Sequence, residues 1–337
     1  MPAFTILTPV YNHEQYLEPC IASVRAQTLR DWEMIILDDG SADGTAEIAR
    51  RWVEKDKRIR YYRQENQGIF SLAGTYNKGL SNSHGRYISI LEGDDLWEPE
   101  KLHRQYAVME ENPEVVVTWG RAGALVAETL KTQRFSPEED ITGGEFWPNR
   151  PVGAILNALY LENMIPAVTI TIRKTALEAI GGFKQPPDFP TTDLPTLADL
   201  ALQGAFYFDD HILGQWRVYS TQATKMFPVK MLQRRWKFVL DHFESLDASV
   251  KIHLSVSASQ INSHFKNRLM IAYATSGRYR LMRGEFPEAR EDYVMAIFYP
   301  LPGNLLWRLR AIIGYLYSLF HLNVEGLSRK LGKVSYK

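Results

Sequence analysis

The chain has 337 residues, 45% of them hydrophobic and 23% charged, a globular composition that excludes disorder and low complexity. Its 39 basic and 39 acidic side chains cancel, so no global field recruits nucleic acid. A single cysteine, Cys20, excludes an internal disulfide and fits a reducing, cytoplasmic setting.

The start of the chain shows no basic stretch or cleavage site of a leader and enters an apolar run at once. Phe4–Val10 reads as a buried strand, and residues 14–27 as a helix with Leu17, Cys20, Ile21 and Val24 on its apolar stripe, so Cys20 is expected in a core. Residues 32–37 form a second strand, ending in Asp38-Asp39-Gly40-Ser41, and a helix follows over Thr45–Lys55. Residues 59–64 and 86–91 are the third and fourth strands, with a helical stretch between them; Pro99 opens another helix, and residues 115–119 are a fifth strand. Strands alternating with helices imply βαβ units and a mostly parallel sheet, whose ligands bind beyond the carboxyl ends of the strands. Residues 129–150, polar with Pro and Gly, read as a loop or lid; 169–173 is a strand, 174–181 a short helix, 194–204 a helix and 206–208 a strand.

From about residue 226 the pattern turns helical, over 231–243, 255–276 and 287–298, dividing the chain into a catalytic domain at 1–225 and a helical module at 226–337. No apolar run reaches the ~18 residues of a spanning helix. Residues 305–322 join many apolar side chains to Arg308 and Arg310, with Lys330, Lys333 and Lys337 beyond, which suits an interfacial helix on an anionic membrane surface or a helix docked on its own domain or a partner. Gln233-Arg234-Arg235-Trp236 falls one residue short of the signature of processive polysaccharide synthases and reads as a helix surface with Trp236 packed inward.

Two acidic clusters fall where such a sheet binds ligands. Asp38 and Asp39, adjacent at a strand end, repel each other unless something uses them. A turn and helix cap uses one of the pair, and a carboxylate there could also accept a uracil N–H or a ribose hydroxyl. Glu92-Gly93-Asp94-Asp95 puts three carboxylates within four residues, with Gly93 allowing close backbone approach. Oxygen donors of this kind suit Mg2+ or Mn2+, which would neutralise the charge on a departing diphosphate; the plainer alternative is a solvated turn before Pro99.

Taken with Thr8-Pro9-Val10-Tyr11-Asn12, Asp43-Gly44-Thr45, Asn66-Gln67-Gly68, Gly181-Gly182-Phe183 and Asp193, these clusters make the chain resemble a family 2 glycosyltransferase of GT-A fold. The resemblance implies an α/β, Rossmann-like sheet flanked by helices, and inverting transfer of a sugar from a nucleotide-sugar donor, UDP-linked, to a hydroxyl. The implied acceptor is a saccharide, lipid-linked or protein, in bacterial glycan, polysaccharide or glycoprotein assembly. The enzyme is expected to be cytoplasmic, or peripheral on the inner face of the membrane through the helix at residues 305–322. Thr8, Pro9 and Tyr11 would line the nucleotide pocket, with Asp38 or Asp39 on the uracil. Asp94, Asp95 and Glu92 would hold Mn2+ or Mg2+ against the diphosphate. The family's Glu-Asp pair ahead of a Leu-Ala-x-x-Gly helix aligns with Thr192-Asp193 ahead of Leu200-Ala201-Leu202-Gln203-Gly204, which makes Asp193 the expected base; capping of the following helix is its other use.

The departures are specific. Glu92 replaces an Asp, and Thr192 replaces a Glu. The stretch from Gly68 to Asn77 is longer than the family's and lacks its arginine, leaving Lys78 and Arg217 as phosphate candidates. Tyr219-Ser220-Thr221 stands where a His-x-x-Ser would supply a histidine ligand. These departures keep open a catalytically silent nucleotide- or glycan-binding module on the same fold. A sugar nucleotidylyltransferase would want a Gly-rich basic loop after the first strand, and Tyr11-Asn12-His13-Glu14 is not one.

Overall fold

The computed structural model describes residues 1–127, 129–138, 148–219, 228–300 and 305–322. They divide into two units, Met1–Tyr219 with Asp247–Ser255, and Ser220–Leu246 with Val256–Lys337.

In the first unit, β1 (Phe4–Val10), α1 (Leu17–Arg25), β2 (Trp32–Asp38), α2 (Thr45–Lys55), β3 (Ile59–Arg63), α3 (Leu72–Ser81) and β4 (Tyr87–Ile90) follow the expected alternation. The four strands run parallel in the order β3-β2-β1-β4, with β1 and β2 in register from Phe4↔Trp32 to Val10↔Asp38. Both strands are buried at every position because both sheet faces are covered. Phe4, Ile6, Met34 and Ile36 pack with Leu17, Cys20, Ile21 and Val24 of α1 and Ala49 and Trp52 of α2. On the opposite face, Leu7 and Leu37 press against Gly79 of α3. Alternate residues of one strand thus serve two different cores.

The sheet continues through β5 (Leu96–Trp97), β6 (Val115–Val126), β7 (Lys131–Ser136), β8 (Thr171–Arg173) and β9 (Ala205–Val218), giving nine strands. Antiparallel β8 joins β4 to β6, and β6 pairs in parallel with β9. Parallel pairing therefore dominates the first half, and the second half is mixed. β6 and β9 are much longer than their apolar cores predict, because they pair with each other from Val115↔Ala205 to Val126↔Val218, through register shifts that carry the ladder past Gly120, Arg121 and Asp209. Residues 131–136, expected within a loop, form β7 against β6; residues 139–147 of that expected lid lie outside the described residues.

α4 (Lys101–Glu111), α5 (Leu156–Leu161), α6 (Lys174–Ala179) and α7 (Asp193–Leu200) complete the flanks. α4 starts two residues after Pro99. α7 ends at Leu200 rather than Gly204, where the Asn149 amide donates to the carbonyls of Ala201 and Gly204 and ends the helical ladder.

In the second unit, α8 (Pro228–Ser245) precedes the short first-unit helix α9 (Ala248–Lys251), and α10 (Ala258–Arg283), α11 (Phe286–Ile297) and α12 (Leu305–Leu319) follow. A capping box of Ser257 and Gln260 starts α10, and left-handed Gly284 closes it. Trp236 lies inward, stacked on Phe265 and donating to the Asn262 side chain at 3.0 Å. Among the described residues, no helix is long and apolar enough to cross a membrane.

Candidate active site

The acidic turn after β4 is pressed onto the end of β1. Leu91 N–H donates to the Leu7 carbonyl and Gly93 N–H to the Pro9 carbonyl, each at 3.1 Å. A Cβ at position 93 would stand 2.4 Å from Val10 Cγ1 and 2.8 Å from His13 Nδ1, so only glycine allows this approach. The turn gathers Glu92, Asp94 and Asp95, with one oxygen from each lying within 4.8 Å of the others.

Their remaining partners come from distant parts of the chain. Asp95 accepts the Arg217 backbone N–H at 2.9 Å, Asp94 Oδ2 accepts the Tyr219 hydroxyl at 3.0 Å, and Glu92 accepts the Tyr76 hydroxyl at 3.5 Å. Asp94 Oδ1 is buried without a hydrogen-bond partner. Burial, followed by the charges of Asp94 and Asp193, pushes the Glu92 carboxyl up to about 8. Burial, Asp94 and Glu92 likewise raise Asp95 well above the carboxylate range. Three crowded carboxylates with one orphaned oxygen are the donor set a divalent cation satisfies, and an all-oxygen set fits Mg2+ or Mn2+.

Asp193 is the first residue of α7; Thr192 stands at the cap position without a side-chain cap bond. The Asp193 carboxylate accepts from the Asn163 side-chain amide at 2.9 Å. It lines a small recess with Ile90, Ile170, Phe183 and Thr192, and its charge reaches Glu92. Behind it, Asn77 of α3 exchanges two hydrogen bonds with the Phe183 backbone, at 2.8 and 3.0 Å, and Tyr76 stacks on the Phe183 ring. The Gly181-Gly182-Phe183 stretch is thereby held to α3.

Asp38 and Asp39 have separate networks. Asp38 is fully buried; it accepts the Ser41 N–H at 2.8 Å and the Tyr61 hydroxyl, with Arg63 at 4.0 Å. Burial, then the bond to Asp38, raises the Tyr61 phenol to about 12. Asp39 accepts from the Gln64 side chain at 2.8 Å and from the N–H groups of Gln67 and Gly68 at 3.0 Å, which folds the loop after β3. Lys78 reaches the same Gln64 at 3.5 Å. Thr8 is buried in β1 with its hydroxyl unpartnered, Pro9 supplies the carbonyl that holds Gly93, and Tyr11 stands half exposed. Among the described residues, no direct hydrogen bond links Asp38 or Asp39 to the acidic turn.

Several neighbours had no signal in the sequence. Asn163 lies in an aperiodic stretch, Tyr76 reads as an ordinary apolar helix position, and Tyr16, stacked on Tyr219 and lying under the Arg217 guanidinium, reads only as the head of the apolar stripe of α1. His13, whose Nδ1 is buried without a hydrogen-bond partner, is held below its usual pKa by burial, against the opposing charges of Asp94 and Asp43.

The model of Glycosyl transferase family 2 matches residues 5–181. The chain belongs to glycosyltransferase family 2. Among its family 2 relatives, the uncharacterized glycosyltransferase RT0329 of Rickettsia typhi is 30% identical over 231 residues, which cover 66% of each chain. TuaG of Bacillus subtilis is 40% identical over 111 residues, or 33% of this chain and 43% of TuaG. EpsH of the same organism is 31% identical over 175 residues, or 49% of each. The chain thus spans less than half the length of both Bacillus relatives. Among solved structures, S. aureus TarS 1–349 in complex with UDP-GlcNAc superimposes with a TM-score of 0.55 at 14% identity, over 99% of this chain and 93% of that one. The mannosyltransferase PcManGT of Pyrobaculum calidifontis, in complex with GDP-Man and Mn2+, gives 0.51 at 17% identity, over 98% and 88%. At such identities the likeness shows the fold, which is GT-A.

Proposed function

We propose that this chain is an inverting glycosyltransferase that moves a sugar from a UDP-linked donor to an acceptor hydroxyl. The observation that carries the reading is the acidic trio with its orphaned Asp94 oxygen, set beside an aspartate that a separate hydrogen bond orients. The complexes of TarS with UDP-GlcNAc and of PcManGT with GDP-Man and Mn2+ support a nucleotide-sugar donor on this fold.

Glu92, Asp94 and Asp95 would hold Mn2+ or Mg2+, which when bound supplies charge neutralisation for the leaving diphosphate. Thr8, Pro9 and Tyr11, at the end of β1, line the nucleotide pocket with the end of β2. Asp38 shapes it through the Ser41 turn, and Asp39 and Lys78 border it through Gln64. Asp193 takes the proton of the acceptor hydroxyl as that oxygen attacks the anomeric carbon. The bond from that carbon to the diphosphate oxygen breaks on the opposite side, so a single displacement inverts the centre. Asn163 keeps the Asp193 carboxylate aimed during the step. The acceptor class is a saccharide, lipid-linked or protein hydroxyl in glycan assembly.

Release of UDP from UDP-sugars, followed with Mn2+ and then with EDTA, tests the reading. Activity should require the ion and vanish in Asp94→Ala. Asp193→Asn should lose ~100- to 10,000-fold in kcat, the worth of a general base, while still binding UDP. Stabilisation by guanosine or other non-uridine donors alone would overturn the uridine assignment. UDP binding without turnover across donors and acceptors would favour the catalytically silent module.

A further inference from the structure

The last described helix is built inside out. Its buried positions are the small residues Ala311, Gly314 and Ser318, while Leu305, Leu309, Ile312, Leu316 and Leu319 are exposed on the opposite side. The inward side cannot be reversed, because Gly314 meets the Tyr293 ring so closely that a Cβ there would lie 2.3 Å from Cζ. Arg308 fixes the start of the helix by donating to the carbonyls of Ile297 and Tyr299, at 2.9 and 2.7 Å. Those bonds bring Phe298, 77% exposed, to the same end of the helix. A continuous apolar stripe of this kind on a soluble surface marks an interaction site.

Charge selects the occupant. No acidic residue occurs from Leu305 to Leu322, and Arg308 and Arg310 flank the apolar stripe on either side. From Leu305 to Lys337 the sequence has six basic side chains and one acidic, in a chain whose overall balance is zero. A second copy of the same helix packed in parallel would set arginine against arginine. Its 15 residues also fall short of the three or more heptads that sustain a coiled coil. An apolar face with a cation at its border is instead the form of a helix that lies in the surface of an anionic bilayer, with its leucines among the acyl chains and the exposed Arg310 at the phosphates, while Arg308 stays on the carbonyls of Ile297 and Tyr299. We infer that α12 is an in-plane membrane anchor that seats this chain on anionic lipid through its leucine–isoleucine face.

The test is flotation of the whole chain with vesicles of phosphatidylcholine alone and of phosphatidylcholine with phosphatidylglycerol. Binding should be at least ~10-fold stronger to the anionic vesicles and should weaken as salt rises. The double variant Leu309→Glu/Leu316→Glu, whose changes lie on the exposed face, should lose ~10-fold or more of that binding with an unchanged helical circular dichroism signal. Arg310→Glu should reduce binding selectively to the anionic vesicles. Equal binding to both vesicles, or no effect of the double variant, would overturn the inference. So would an absence of binding by a chain that light scattering shows to be a dimer broken by the same variant. None of these readouts depends on sugar transfer, so the inference can fail or stand apart from the proposed activity.

Discussion

Asp193 and Asn163 are 30 positions apart, and a single 2.9 Å hydrogen bond joins them. If Asp193 is the base, removing the amide should let its carboxylate wander while leaving donor contacts intact. Asn163→Ala is expected to lower kcat by ~10- to 100-fold, the usual cost of removing an orienting partner, with the KM for donor unchanged and Asn163→Gln restoring part of the loss. A rise in KM with kcat preserved would show that Asn163 serves donor binding instead. At Gly93 the prediction concerns packing. Gly93→Ala drives a methyl into Val10 and His13 and should destabilise the first unit by ~1–3 kcal/mol, the usual cost of overpacking, measured as a fall in urea midpoint. The acidic turn was legible because its chemistry sits in four adjacent letters. Asn163 was not, because an amide has no periodicity to betray it and its partner is distant in the chain.

Elements are stapled to one another by polar groups that composition does not reveal. Glu33 of β2 accepts from Thr5 of β1 and from the His84 N–H, both at 2.6 Å, and pairs with Arg60 of β3 at 2.7 Å, with its side chain 10% exposed. Burial alone would raise its carboxyl, but the bonds from Thr5 and His84, with the Arg60 charge, outweigh it and hold the group below its ordinary value. A carboxyl lowered on folding stabilises the fold above its unfolded pKa, about 4.3, and that stability is lost as pH falls through the lower folded value. Glu33→Gln should therefore cost ~2 kcal/mol near neutral pH, in the range of charged hydrogen bonds, and the gap from the native chain should narrow below pH 4. Denaturant midpoints at several pH values would show it, and a constant gap would rule Glu33 out as the cause. The strand–helix alternation itself was readable because β1 and β2 are unbroken apolar runs, as two-sided burial demands. The lengths of β6 and β9 were not, since each is extended by the other's backbone rather than by its own side chains.

At the scale of the molecule, every candidate site residue lies in the first unit, while the tight helix crossing at Tyr293 lies in the second. Gly314→Val should weaken α12 packing by ~1–3 kcal/mol and lower the melting of the second unit, with the affinity for UDP and Mn2+ unchanged. A large loss of UDP affinity would show that the two units are coupled.

The sequence by itself determined the parallel half of the sheet and the two acidic clusters at its strand ends, because residue type and spacing are local properties that a single chain displays. Only the tertiary structure decided which carboxylate oxygens are engaged. Asp38 and Asp39 are met by Ser41, Tyr61, Gln64, Gln67 and Gly68, while one oxygen of Asp94 has no hydrogen-bond partner. It also decided which side of the last helix is outside. A periodic pattern marks an apolar stripe, but burial belongs to pairs of surfaces, and here Gly314, set against Tyr293, took the inside with Ala311 and Ser318.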